Sequence, residues 1–273
     1  MIRTLLIAFA CFVFLTHCSS TDGVEAPEPV ETEEINEPVE DLFLEAQKSL
    51  DDELYRTAVR QFDDIERNHP YSVWAKRAML MSAYASYQNE DYDRAIIALE
   101  RFIQLHPADE RVDYAYYLKA MCYYEQISDV RRDQKMTELA LNHLLAVIKR
   151  FPGSDYAKEA RLKIDLTFDH LAGREMEIGR YYLDRKVYNA AIKRFQKVVR
   201  EYQTTTHVAE ALYRLVEVNL AIGLTAEATK NAAILGHNYP GSEWYEDAYN
   251  LLESGSTNDQ NGFFGKAWDS IVN

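Results

Sequence analysis

The sequence predicts an all-α fold: a superhelix of five stacked helix pairs, with one long helix joining an N-terminal group of pairs to a C-terminal group. Three observations carry that expectation. A thirteen-residue stretch recurs five times, as AVRQFDDIERNHP (Ala58–Pro70), AIIALERFIQLHP (Ala95–Pro107), ALNHLLAVIKRFP (Ala140–Pro152), AIKRFQKVVREYQ (Ala191–Gln203) and ATKNAAILGHNYP (Ala228–Pro240). Eight residues past each of these ends Ala returns, at Ala78, Ala115, Ala160, Ala211 and Ala248. From Leu42 onward apolar residues recur at three- and four-residue steps, and no strand-like alternation persists. A small residue at a matched place in successive helices lets them approach closely, and Pro ends each helix because it cannot continue one. A fixed period of this kind defines a repeat architecture.

In chain order, residues 1–17 have the shape of a signal peptide: Arg3 is basic, and Leu5 to Leu15 is an apolar run too short to cross a bilayer comfortably. Leu15-Thr16-His17-Cys18 resembles the bacterial lipoprotein processing box. That resemblance implies that Cys18 becomes the acylated first residue of the mature chain, and Ser19 after it resembles cargo sent to the outer membrane. His17 departs from the small residue usual in that box. The alternative is an ordinary secretory signal with an incidental cysteine. Residues 18–41 read as an acidic, disordered tether: from Ser19 to Asp41 there are nine Asp or Glu, three Pro and no Lys or Arg. The whole chain carries a net charge of −14. One of its 30 basic and nine of its 44 acidic residues precede Leu42, which leaves 29 against 35, or −6, for the folded body. A negative body argues against nucleic acid as a partner, since phosphate backbones require clustered Lys and Arg.

Residues 42–152 form the first three pairs: Leu42–Leu50 with Leu54–Asn68, Ser72–Gln88 with Tyr92–Leu105, and Asp109–Ser128 with Lys135–Arg150. In the second helix of each pair the leading Ala, the residue four on (Phe62, Leu99, Leu144, Phe195, Ala232) and the residue seven on (Ile65, Phe102, Val147, Val198, Leu235) share one stripe, which must be buried. The repeat ends are 37, 45, 51 and 37 residues apart. A polar connection, Asp129–Gln134, accounts for the second interval. The third implies one long helix over Ser154 to Arg185, which Gly173 and Gly179 weaken and offer to split. Residues 153–253 hold this connector, the fourth and fifth pairs (the fifth being Thr206–Ile222 with Ala226–Asn238) and a closing helix, Ser242–Leu252. Residues 254–273 form a mobile tail whose Phe264, Trp268 and Ile271 share a helical face. That face either folds back on the last repeat or docks a partner.

The leading Ala, a large apolar residue four on, Pro twelve on and Tyr three before (Tyr55, Tyr92, Tyr188) resemble the tetratricopeptide repeat, which implies a right-handed superhelix. Gln203 replaces the Pro in the fourth copy. The segment HPYSVWAKRAMLMSAYASYQNEDYDRAIIALERFIQLHP with Asp113-Tyr114 and Tyr117, and FPGSDYAKEA leading into a long helix ending near Tyr181-Tyr182, resemble the BamD family of outer-membrane protein assembly factors. The resemblance spans about Leu42 to Leu252. It implies a non-enzymatic lipoprotein scaffold, anchored by lipid on the periplasmic face of the outer membrane. Its implied partners are the POTRA domains of BamA, accessory Bam lipoproteins and unfolded outer-membrane β-barrel proteins. It places the BamA contact in the C-terminal repeats, with Arg194 as the basic residue that meets an acidic one, and places substrates on the N-terminal repeats.

A stack of helix pairs offers a concave surface lined by the first helix of each pair. Tyr84, Tyr87, Tyr114 and Tyr117 lie on such helices and are candidate groove residues, because a phenol buries a ring while keeping a hydroxyl free. The competing expectation for each singly is packing between helices. No catalytic, cofactor or metal motif is present: there is no H-E-x-x-H, C-x-x-C, G-x-G-x-x-G, Walker loop or G-x-S-x-G. His69 and His106 sit at repeat ends as caps, Asp63-Asp64 read as solvated charge, and Arg131-Arg132 as an ordinary exposed loop or, alternatively, a partner contact. Cys122, left alone once Cys11 and Cys18 are assigned, reads as a buried inert thiol. The other function classes are a different envelope tetratricopeptide lipoprotein, an adaptor in cell division or polysaccharide export, and an enzyme such as a peptidoglycan lyase, for which no segment remains to form a catalytic domain.

Overall fold

The computed structural model describes residues 38–256. Cys18, the tether up to Glu37 and the Phe264, Trp268 and Ile271 face lie outside these residues. The described chain is all helical: α1 (Val39–Asp51), α2 (Tyr55–Asn68), α3 (Val73–Gln88), α4 (Tyr92–Leu105), α5 (Val112–Tyr124), α6 (Lys135–Arg150), α7 (Asp155–Asp184), α8 (Tyr188–Glu201), α9 (Val208–Ala221), α10 (Thr225–Asn238) and α11 (Glu243–Ser256). Each helix packs on the next, and the odd-numbered helices α1, α3 and α5, then α5 and α7, then α9 and α11, also touch one another. This is the layering of a tetratricopeptide-type superhelix.

The alanine register is the organising contact. Ala58, Ala95, Ala140, Ala191 and Ala228 are fully buried, and so are Ala78, Ala115, Ala160, Ala211 and Ala248. The positions four and seven beyond each leading Ala are buried in all five copies. Burying them divides the interior into successive compartments. Phe43, Phe62 and Ile65 fill the first, and Leu99, Phe102 and Leu118 the second. Leu144, Val147 and Ile164 form the third, while Phe195, Val198, Leu212 and Leu235 belong to the fourth and largest.

Two local devices repeat that composition does not reveal. Where one repeat ends, a side-chain oxygen caps the next helix: Ser72 accepts from the Ala75 N–H at 3.0 Å, Ser154 from Tyr156 at 3.2 Å and Ser242 from Trp244 at 3.3 Å. Within four pairs the turn passes through one left-handed residue, Glu53, Glu90, Lys186 or Gly223, with φ of 60°, 59°, 58° and 79°. The residue after each returns its N–H to a carbonyl five residues back (Leu54 to Ser49, Asp91 to Ser86, Val187 to Tyr182, Leu224 to Asn219), the bond that closes a Schellman cap.

Three expectations are corrected. Helix α1 starts at Val39, three residues before the predicted tether boundary, because Glu40 and Asp41 sit favourably in the first turn and Val39 packs on the first core. The closing helix runs to Ser256, past the predicted limit at residue 253. Gly173 and Gly179 do not split α7, which is one helix of 30 residues, about 45 Å long. Gly179 is needed for contact: a Cβ there would lie 2.4 Å from the ring of fully buried Phe195 on α8. The N-terminal half of α7 lies in the third core and its C-terminal half in the fourth, so one rigid element joins both groups of repeats.

Candidate functional site

Two surfaces hold the residues singled out by the sequence. The first is built on α3, α5 and the start of α7. Tyr84, Tyr87, Tyr114 and Tyr117 are all half-buried. Tyr114 and Tyr117 meet Tyr156 of α7, with ring centroids 5.2 and 5.3 Å away. Tyr87 packs edge-on to Tyr92 at 5.8 Å. The Tyr84 hydroxyl accepts from Gln88 Nε2 at 2.7 Å, and the Tyr87 hydroxyl donates to Glu125 at 3.4 Å. The four predicted tyrosines therefore lie near one another, with rings that pack against neighbouring helices and are only half-buried. Sequence reading missed Tyr156, whose place beside Tyr117 follows only from the register of α7 against α5.

Carboxylates act on most of these phenols, while Lys163 Nζ lies 4.5 Å over the neighbouring Tyr124 ring. The Tyr87 phenol is pushed up by burial and then by Glu125, Tyr114 by burial and neighbouring tyrosines, and Tyr117 by burial and then Glu159. Burial followed by Asp113 and Glu159 raises Tyr156. The phenols therefore stay neutral hydrogen-bonding groups. Asp113 accepts from Ser154 Oγ at 2.5 Å and from the Tyr114 N–H at 2.7 Å, contacts that tie α5 to the start of α7. The Cys122 thiol beneath is fully buried, and burial pushes it up to about 12, as an inert core group requires.

The second surface lies on α7, α8 and α9. Arg194 does stand on α8, but its guanidinium is already engaged: Nη1 donates to Glu175 Oε2 at 2.9 Å, and Lys197 Nζ donates to the other oxygen at 2.7 Å. Glu175 is buried, while the Arg194 and Lys197 side chains remain 39% and 35% exposed. Burial opposes ionisation of Glu175, yet Lys197 and Arg194 outweigh it and hold the carboxyl below its usual range. A cavity of about 380 Å³ opens beside this triad, lined in part by Arg132, Arg174, Glu175, Lys197 and Tyr202. A chain of charge pairs runs alongside. Arg131 meets Glu177 at 3.3 Å, Arg180 bridges Glu177 at 2.7 Å and Glu210 at 2.8 Å, and Arg214 meets Glu210 at 3.5 Å and Glu217 at 2.8 Å. Arg214 also lies over the Trp244 ring of α11, 5.7 Å from its centroid. Arg131, on the exposed loop after α5, thus ties that loop to α7.

Asp63 is likewise corrected. It is not merely solvated charge, for it accepts from Ser82 at 2.5 Å and from Arg94 at 2.6 Å, joining α2 to α3 and α4. Asp64 pairs with Arg67 at 3.1 Å on an exposed face. His69 and His106 occupy the C-cap positions of α2 and α4. Among the described residues no cluster of His, Cys, Asp and Glu could hold a metal, and no helix is long and apolar enough to cross a membrane.

The sequence profile of the YfiO family, described as outer membrane lipoprotein, matches residues 35–235. The chain belongs to this family. Proteins named outer membrane protein assembly factor BamD are similar over most of this chain. The one from Caulobacter vibrioides is 51% identical, covering 79% of this chain and 70% of its own length. The one from Rickettsia prowazekii is 46% identical, covering 82% and 89%. A solved structure, the TPR2AB domain of yeast Sti1 in complex with pHSP90, aligns over 85% of this chain and 96% of its own at 11% identity and a TM-score of 0.42.

Proposed function

We propose that this chain is a non-enzymatic lipoprotein scaffold of the outer-membrane β-barrel assembly complex. It is anchored through Cys18 on the periplasmic face, docks on the BamA POTRA domains through its C-terminal repeats, and receives unfolded barrel proteins on its N-terminal repeats, with accessory Bam lipoproteins as further partners. The observation that carries the reading is membership of the YfiO family over nearly the whole helical body. The C-terminal surface supports it physically. Arg194 is held in place by Glu175 with its side chain 39% exposed, so it can share a second carboxylate from a partner without first being ordered.

Capture of the BamA POTRA domains by the purified protein tests the docking. Arg194→Glu sets a second carboxylate against Glu175 and is expected to abolish capture, while Arg194→Gln is expected to weaken it at a stability cost below about 1 kcal/mol. Undiminished capture by both variants removes Arg194 from the interface. Depletion of the protein in cells separates this reading from an adaptor in division or polysaccharide export, because only barrel assembly requires a general fall in outer-membrane β-barrel proteins.

A further inference from the structure

We infer that the tyrosine surface of α3, α5 and α7 selects segments in which an aromatic side chain is flanked by Lys or Arg, and rejects acidic ones. This inference rests on the proposed reading of the N-terminal repeats as a substrate groove and adds its chemical preference. Among the described residues, Asp113, Glu125 and Glu159 have hydrogen-bond donors but no Lys or Arg within ion-pairing distance. Glu125 and Glu159 are exposed, one at the C-cap of α5 and the other one turn into α7. Glu125 acts on Tyr87, Tyr92 and Tyr117, joined by Glu90 at Tyr92 and by Glu159 at Tyr117.

Nearby cations are held elsewhere: Lys76 by Asp109 at 2.6 Å, Lys119 by Glu100 at 2.7 Å, Lys158 by Asp155 at 2.7 Å, and Lys163, one turn beyond Glu159, 4.5 Å over the Tyr124 ring. A ligand cation is therefore the missing counter-charge. It would meet the faces and edges of rings whose hydroxyls stay protonated, where cation–π attraction adds to the pull of Glu125 and Glu159. The ligand's own aromatic side chain would join the tyrosine cluster edge-on or offset. An acidic segment, or a terminal carboxylate placed among the rings, would face two carboxylates that no Lys or Arg of the chain pairs, with Lys163 already placed over the Tyr124 ring. The occupant is thus an extended, aromatic and cationic stretch of an unfolded chain.

Fluorescence anisotropy at low ionic strength tests this, using the full chain in detergent and three synthetic peptides that share one aromatic core flanked by Lys, by Gln or by Glu. The Lys peptide is expected to bind about fivefold or more tightly than the Glu peptide, with Gln between them, and the preference should shrink as salt rises. The Glu125→Gln/Glu159→Gln double variant should lose the preference while melting as the parent does, since both side chains are exposed. Equal binding of the three peptides, with all three weakened by Tyr117→Ala, would overturn the charge preference and leave the groove standing. Binding of none would overturn both. A preference that survives in the double variant would also reject the inference, because the selecting charge would lie elsewhere.

Discussion

The tyrosine surface of the first three repeats and the charged surface of α7 to α9 have opposite electrostatic economies. On the first, neutral phenols stand beside carboxylates without Lys or Arg partners. On the second, Glu175, Glu177 and Glu210 each meet two cations, and the pairs connect the loop of the third repeat to α9 and, through Arg214, to α11. Charge satisfied within the chain fixes helices against each other. Charge left unsatisfied is available to something outside it. One fold thus presents a face whose charges are paired within the chain and a face whose carboxylates are not, and α7 belongs to both.

The sharpest way to break the paired face is through packing. Gly179→Ala would drive a methyl group to within 2.4 to 2.8 Å of three atoms of the Phe195 ring, which is fully buried and has nowhere to move. Overpacking typically costs about 1–3 kcal/mol, and a contact this close belongs at the upper end. The better helix propensity of Ala returns about 0.8–1 kcal/mol. A net loss of about 2 kcal/mol is expected in thermal or urea unfolding. Phe195→Leu in the same chain should cost less than the sum of the two single changes, because it vacates the clash. Additive costs would show that α7 and α8 can separate freely.

Next in size is the charge contrast itself. Glu175→Gln removes the carboxylate shared by Arg194 and Lys197. Both cations are more than a third exposed, so solvent replaces much of what they lose, and the expected cost is about 1 kcal/mol. Glu125→Gln on the other face should change stability by less than about 0.5 kcal/mol. Acid gives the same contrast. Glu175 and Glu177 have folded-state pKa values below their unfolded values, so their stabilisation is complete above the ordinary carboxylate range. It declines once pH falls below about 4, where the unfolded chain takes up protons first. Asp109 behaves likewise in the front half: burial opposes its charge, but Lys76 and Arg111 outweigh it and hold its carboxyl far below the usual range. Melting temperature should therefore drop in acid for the parent, and drop less for Glu175→Gln. Identical acid limbs would mean that the triad stores no stability.

The fold was legible because its signal is steric and periodic. Alanines at matched places, large residues four and seven further on, and Pro at repeat ends are all consequences of close helix packing, and they read the same way in one dimension as in three. The long connector was legible for the same reason, as a missing Pro and an unbroken apolar stripe. The sites were less so. Tyr84, Tyr87, Tyr114 and Tyr117 were visible as tyrosines on first helices, but Tyr156 is 39 residues from Tyr117 and joins it only through the register of α7 against α5. Arg194 was visible as a cation on α8, whereas Glu175 lies 19 residues earlier and reads as one more acidic residue on a long helix. Pairings across helices depend on rotation about each axis, and periodicity fixes that only to within about a third of a turn.

The smallest effect concerns a feature both halves share. Glu53, Glu90 and Lys186 hold left-handed backbone at the same place in their pairs, where the fourth turn uses Gly223. A side chain in that conformation costs about 1–2 kcal/mol that glycine avoids. Glycine gives back about 0.5–1 kcal/mol by loosening the unfolded chain. All three side chains are exposed, so replacing them removes little contact. Glu90→Gly in the front half and Lys186→Gly in the back half are each expected to stabilise by about 0.5 kcal/mol, measured as matched upward shifts of the melting temperature. Equal gains would place the difference between the two faces in their side chains alone, since the turns beneath them would then be energetically interchangeable. A gain confined to Glu90 would mean that the Lys186 side chain, which borders a cavity of about 330 Å³ with Arg180, Asp184 and Arg214, contributes to the charged face and extends it to the end of α7.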